Sequence, residues 1–445
     1  MARLQVVQDL RSLLVHADFR KLFAVRLVSQ CGDGMFQAGL ATLFFFNPEN
    51  LATAGAVAAA FAVLLLPFTV VGPFVGPLLD RWHRRQVLLV GNAIRVVLAG
   101  VLAVLMATVG VGPAVYVLAL VTLGVNRFLL AALSAGMPHV VPRQQLLIAN
   151  SLTPTLGAVA AVVGAAVGFG LGLVLRAGPA LDAGALSAAA VFFGAASLLA
   201  LRLGRDRLGP DRARARTGGR SQLIQDMRAT AGEMVDGARY LIARGTPGAG
   251  LGVMGGHRFL YGLNFIALIL ISRNLLVDPT DASAGLATFG VLAGISFGGN
   301  GLAILVTPAL RTRISADRWV VVCLAIGALS QVVLASAPVF AVIAAAALLM
   351  GFSVQGAKIA VDTIVHRDTH DDARGRAFSL YDVLYNAAFV GAAALAAAVL
   401  PDTGYSRVTF GCLAVVYLVL AVAYRRVPSE PAPATVPRPR TFGHR

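Results

Sequence analysis

The sequence predicts an all-α polytopic membrane protein of about twelve transmembrane helices, and three observations carry that prediction. Of 445 residues, 58% are hydrophobic and only 13% charged, with a mean hydropathy of +0.78. Ordinary globular domains carry about 25% charged residues. The apolar residues gather into runs near the ~20 residues that a helix needs to cross a bilayer core. Arginine concentrates in alternate loops, as expected when those loops share one side of a membrane. A net charge of +16 invites a nucleic-acid reading. Most arginines fall in alternate loops, with Arg176, Arg273 and Arg407 as outer exceptions, so the excess is explained by orientation in the bilayer and no nucleic-acid partner is expected.

Taken in order, the apolar runs centre near Gly34, Leu64, Val97, Ser134, Val162 and Phe193, then near Phe265, Ile295, Leu329, Met350, Ala392 and Val416. Met1 to Lys21 is amphipathic and lacks a cleavable apolar core, so it reads as a cytoplasmic N-terminal segment (residues 1–21) and not as a signal peptide. Two groups of about six spans follow, at 22–203 and 248–426. They are joined by a polar cytoplasmic linker at 204–247, in which Ile224, Met227, Met234, Tyr240 and Leu241 recur among charges, as in a helix lying on a membrane surface. Residues 427–445 alternate proline with arginine and read as a disordered cytoplasmic tail. The arginine-rich loops at 81–85, 139–143, 202–244, 311–318 and 367–376 then lie inside, and both termini are expected in the cytoplasm of a cell membrane. Cys31, Cys323 and Cys412 are scattered and sit in apolar runs, with neither a disulfide framework nor metal-ligand spacing.

The turn between the second and third runs, Gly76-Pro-Leu-Leu-Asp80-Arg81-Trp-His83-Arg84-Arg85, packs charge densely between apolar stretches. It resembles the signature loop of the major facilitator superfamily, Gly-x-Leu-x-Asp-Arg-x-Gly-Arg-Arg. Gly76, Leu78, Asp80, Arg81, Arg84 and Arg85 match the pattern, and His83 stands at its second glycine. The resemblance covers most of the chain from Phe19 to Arg426. It implies two pseudo-symmetric six-helix bundles, alternating access, and substrate held between the halves near the midplane. It also makes Gly76, Asp80, Arg81, Arg84 and Arg85 a cytoplasmic gate, with Asp80 as its latch. The corresponding second-half loop, Leu310 to Arg318, keeps basic charge but lacks the leading glycine and aspartate. Gly157, Gly164, Gly168, Gly170 and Gly172 of the fifth run suit close helix packing. They also resemble the glycine-proline motif of antiporters in the superfamily, with Ala165 in place of the proline.

Charges within the apolar runs are the candidate functional residues, because a carboxylate facing lipid costs ~2.5–3.5 kcal/mol or more. Arg26, Gln30, Asp33 and Gln37 share one face of the first span. Asp33 lies near its middle and needs a partner. Arg127 of the fourth span, which resembles the arginine of the superfamily's fourth-span motif, is the expected one. Arg26 is expected to reach toward the inner surface, and Arg95 to serve the Gly76 loop. Two readings stand for Asp33 and Arg127: a static ion pair, or a protonatable acid whose charge alternates with access. Gln355, Lys358, Asp362 and His366 repeat the one-face pattern in the tenth span. Lys358 reads either as a substrate contact or as the i,i+4 partner of Asp362. His257, Arg258, Tyr261 and Asn264 of the seventh run, with Tyr381, Asp382, Tyr385 and Asn386 of the eleventh, would complete the second half's share of a cavity.

There is no Gly-x-x-x-x-Gly-Lys-Ser/Thr loop for ATP, and neither His-Glu-x-x-His nor Gly-x-Ser-x-Gly. An enzyme, a cofactor and a bound metal are therefore not expected. The sequence points to a secondary transporter, acting as a monomer, that exports a small amphiphilic molecule in exchange for protons. The alternatives are a transporter of an anionic solute or lipid, since Arg26, Arg127, Arg258 and Lys358 outnumber Asp33, Asp362 and Asp382, and a membrane scaffold or sensor that no longer transports.

Overall fold

The computed structural model describes residues 2–46, 53–70, 75, 79, 82–110, 112–171, 179–205, 207–209, 220–310 and 313–427. These are almost wholly helical. The helices are α1 (Ala2–Leu14), α2 (Ala17–Phe46), α3 (Ala54–Val70), α4 (Arg84–Thr108), α5 (Pro113–Gly136), α6 (Leu146–Gly170) and α7 (Pro179–Ala200). They continue as α8 (Arg220–Arg244), α9 (Thr246–Asn274), α10 (Ala282–Leu310), α11 (Ala316–Ser336), α12 (Phe340–Asp368), α13 (Asp371–Val399) and α14 (Arg407–Arg425). Among the described residues, ten of these are long and apolar enough to cross a membrane, α4 to α7 and α9 to α14. With α2 and α3 they fill the positions of the expected spans. The chain is thus an all-α, multi-pass membrane protein. Gly76, Asp80 and Arg81 of the expected gate, and the 428–445 tail, lie outside the described residues.

Local chemistry sets the helix ends. Pro113 opens α5 at a position whose N–H would be unpaired in any case. Ser315 and Ser406 cap α11 and α14 by accepting from the backbone N–H of Arg318 and Thr409. Gly245 adopts φ +79° in the turn between α8 and α9, a conformation that side chains disfavour.

The chain forms two compact units. Unit 1 comprises Met1–Asn47 and Val70–Met227, and unit 2 comprises Pro48–Thr69 and Arg228–Arg445. α3 therefore packs with unit 2, although the 22–203 boundary groups it with the first-half spans. The reason is aromatic: Phe61 lies 5.8 Å from Phe265 and 5.2 Å from Phe389, ring centre to ring centre. The Ala54 N–H also donates to Asp402 at 3.2 Å.

In unit 1, α2 packs against α6 and α7, and α4 against α5 and α7. The α2–α6 contact is backbone on backbone: a Cβ on Gly34 would overlap the Ala161 carbonyl, and one on Gly164 the Cys31 carbonyl. The packing reading of the fifth-span glycines holds at Gly157, Gly164 and Gly168, while Gly170 faces open space. In unit 2, α12 packs against α10 and α11, and α9 against α13. A polar chain locks α9, α11, α12 and α14 together. Ser353 donates to the Cys323 carbonyl at 2.6 Å, so its oxygen accepts from His257 Nε2 at 3.0 Å. Nδ1 then accepts from the Tyr417 hydroxyl at 3.2 Å. His257 is fully buried, so it belongs to the core and not to a cavity wall.

Candidate functional site

In unit 1 the buried charge is an enclosed ion-paired network, in which Arg95 Nε alone of the Asp33, Arg95, Ser29 and Asn92 polar atoms is buried without a hydrogen-bond partner. Asp33 on α2 pairs with the Arg95 guanidinium on α4, and the two side chains are only 5% and 1% exposed. Ser29, one turn before Asp33, donates to Asn92 at 3.1 Å and accepts from Arg95 at 3.2 Å. Asn92 in turn donates to the Leu88 carbonyl at 2.8 Å. The Phe193 ring of α7 lies 3.5 Å from the guanidinium carbon, and Gly32 leaves room for that ring. Asp33 is thus paired by Arg95 in place of the expected Arg127, and among the described residues Arg95 is engaged by Asp33, Ser29, Asn92 and Phe193. Both residues come from helices that pack on α7, at heights that bring Ser29 and Asp33 opposite Asn92 and Arg95. Arg127 is half-buried on α5.

Arg26 also departs from expectation. It is 5% exposed and donates to Gln30 at 3.0 Å, where Gly157 of α6 makes room for both, so it does not reach for a surface. Gln37, on the same face, is exposed. Of the gate arginines, Arg84 donates to the carbonyls of Ala135 and Leu208, each at 2.9 Å. Arg85 donates to those of Ala200 and Leu201 at 3.4 and 3.2 Å. Both tie the segment after α7 to the start of α4.

Unit 2 is arranged differently. Lys358 and Asp362 of α12 pair at 2.7 Å as i,i+4 neighbours, and their side chains stay 35% and 30% exposed. The second Asp362 carboxylate oxygen is buried without a hydrogen-bond partner, as are the Tyr381 hydroxyl and Arg258 Nε. The Arg258 guanidinium carbon of α9 lies 4.0, 4.6 and 5.1 Å from the ring centres of Tyr385, Phe389 and Tyr261. Tyr381 stands between the two charge groups, 5.8 Å from Tyr385 by ring centres and 5.6 Å from Lys358 Nζ. Asn264 donates to the Leu260 carbonyl at 2.8 Å and accepts from Gln331 at 2.9 Å. Beside it, a void of about 40 Å³ lined by Tyr261, Asn264, Ser296, Ser330 and Met350 has room for a water or two and not for a substrate. Asn386 donates to the Asp382 carbonyl at 2.7 Å, Asp382 is exposed, and Gln355 is half-buried. Among the described residues, no group of His, Cys, Asp or Glu is placed to hold a metal ion.

Residues 250–444 match the family described as the Major Facilitator Superfamily. An uncharacterized MFS-type transporter of Mycobacterium bovis is 35% identical over 418 residues, spanning 92% of this chain and 90% of the relative. A counterpart described in the same words from Mycobacterium tuberculosis matches equally. Among solved structures, the nucleoside transporter NupG superposes with a TM-score of 0.61 at 15% identity, covering 91% of this chain and 97% of NupG. The POT family transporter PepTSo gives 0.62 at 13% identity over 91% and 97%. These likenesses are of fold.

Proposed function

This chain belongs to the major facilitator superfamily as a secondary transporter, and from that premise we propose that it exports a small amphiphilic molecule in exchange for protons. The observation that carries the coupling is the Asp33–Arg95 pair, sealed between α2, α4 and α7. A buried ion pair is poor value as a stabiliser, since apolar residues of like volume commonly do as well or better. Intramembrane ionisable groups are kept where charge must move. Arg95 already holds a second acceptor in Ser29, with Asn92 Oδ1 at 3.5 Å. When Asp33 takes a proton, the guanidinium keeps those hydrogen-bond partners but loses its counter-charge, and that cost favours an arrangement in which the two helices part. The helices that carry the two residues then separate their charge states with access.

The aromatic and charged faces of α9, α12 and α13 support an amphiphilic substrate, because rings and ionic groups occur there side by side. The gate residues Gly76, Asp80, Arg81, Arg84 and Arg85 would close the cytoplasmic side, with both termini facing the cytoplasm and the chain acting as a monomer. The test is efflux from vesicles driven by an imposed pH gradient. The double variant Asp33→Asn/Arg95→Gln is expected to lose gradient dependence while facilitated, downhill movement continues. Unchanged gradient dependence in that variant sinks the coupling role of Asp33.

A further inference from the structure

We propose that Arg258 is the headgroup site for an anionic substrate: one oxyanion, carboxylate, sulfonate or phosphate, held on the guanidinium edge, with the substrate's apolar part on the surrounding rings. The proposal deepens the transport reading and rests on it.

Arg258 carries its charge without an ion pair among the described residues, and its Nε has no acceptor. Lys358 and Asp362 neutralise each other, so neither answers it. The rings of Tyr385, Phe389 and Tyr261 stabilise the cation without neutralising it. Aromatic stacking satisfies the faces of a planar guanidinium and leaves its N–H edge to an acceptor, the geometry that suits a two-oxygen anion. The Tyr381 hydroxyl, buried and unpartnered one helical turn from Tyr385, is a second donor suited to the same anion. Phe265 and Phe61 extend the ring surface from Phe389, at 6.0 and 5.2 Å. A hydrophobic body with one anionic end matches this sequence of surfaces. A cationic amphiphile would meet Arg258 with like charge, and Asp362 of this face is already paired with Lys358.

The site also explains why Lys358, the other cation of this face, is not the anion contact. Binding an anion there would take Asp362 from its partner and leave a carboxylate beside the incoming charge.

The test uses the purified full-length protein in detergent with naphthalene-1-sulfonate and its neutral counterpart, naphthalene-1-sulfonamide, followed by calorimetric titration. The parent protein is expected to bind the sulfonate about tenfold or more tightly than the sulfonamide, as a charge-assisted hydrogen bond implies. Arg258→Gln should abolish that preference while sulfonamide binding stays within about twofold. Arg258→Lys should keep part of the preference, and Tyr381→Phe should lower sulfonate affinity several-fold on its own. The last two variants retain charge or ring, so the proposal stays testable if Arg258→Gln fails to fold. Equal affinity for the two probes in the parent, or no sulfonate binding, overturns the site and leaves gradient-driven transport standing. Charge-selective binding without gradient-driven movement in vesicles leaves the site and overturns the transport reading.

Discussion

The two units treat buried charge in opposite ways. In unit 1, Asp33 and Arg95 are almost fully enclosed and pair with each other, and Arg95 has further support from Ser29, Asn92 and Phe193. In unit 2, Lys358 and Asp362 remain about one-third exposed, Arg258 has rings in place of a counter-ion, and three polar atoms of this neighbourhood lack partners. A buried ion pair holds each charge against its partner and specifies an arrangement. An incomplete network holds a standing free-energy gain for whatever completes it. On the proposed function, coupling falls to unit 1 and substrate recognition to unit 2.

Removing one partner from each pair should separate the units sharply. Asp33→Asn leaves Arg95, 1% exposed, without a counter-charge, and is expected to destabilise the protein by ~3–5 kcal/mol. Adding Arg95→Gln should recover most of that loss in thermal unfolding, because two polar neutral groups then meet among Ser29 and Asn92. If the single variant is as stable as the parent, Asp33 is not the counter-charge that holds Arg95.

A smaller effect is expected at the core lock of unit 2. Ser353→Ala removes the donor to the Cys323 carbonyl and the acceptor for His257 Nε2, for a loss of ~1–3 kcal/mol. It should leave the sulfonate preference intact, since Ser353 and His257 lie in the core. A change in charge selectivity would show that the incomplete cluster and the lock are coupled.

The smallest effect is expected from Lys358→Gln. With both side chains about one-third exposed, water replaces much of what the lysine supplied, so stability should fall by ~1 kcal/mol or less. A double-mutant cycle with Asp362→Asn measures the pair directly. A coupling near that of the Asp33–Arg95 pair would erase the distinction between the units.

The fold was legible because it depends on long-range averages: apolar run length, arginine alternation and a polar stretch at mid-chain all survive without knowledge of contacts. The membership of α3 was not, because it turns on where Phe61 points, and one aromatic residue in an apolar run carries no address. The candidate charges were legible from their cost. Their pairing was not: Arg95 and Arg127 are equally rare within apolar runs, and only helix packing sets Arg95 against Asp33. A hint lay in the sequence, since Asn92 and Arg95 are spaced three apart and Ser29 and Asp33 four, two short polar ladders suited to facing each other. The i,i+4 pairing of Lys358 with Asp362 is local and could be read directly. The ring cluster around Arg258 draws on α9 and α13, far apart in sequence, and its missing counter-ion is visible only in three dimensions.

Substrate-driven proton movement tests the central claim of proton exchange most directly. Proteoliposomes loaded with a pH-sensitive dye, with membrane potential clamped by potassium and an ionophore, would receive naphthalene-1-sulfonate or its sulfonamide from outside. The account predicts that entry of a transported probe raises internal pH only when the protein is present, and that Asp33→Asn/Arg95→Gln admits the probe without the pH change. Protein-dependent entry into vesicles carrying the parent chain with no accompanying proton movement would contradict it.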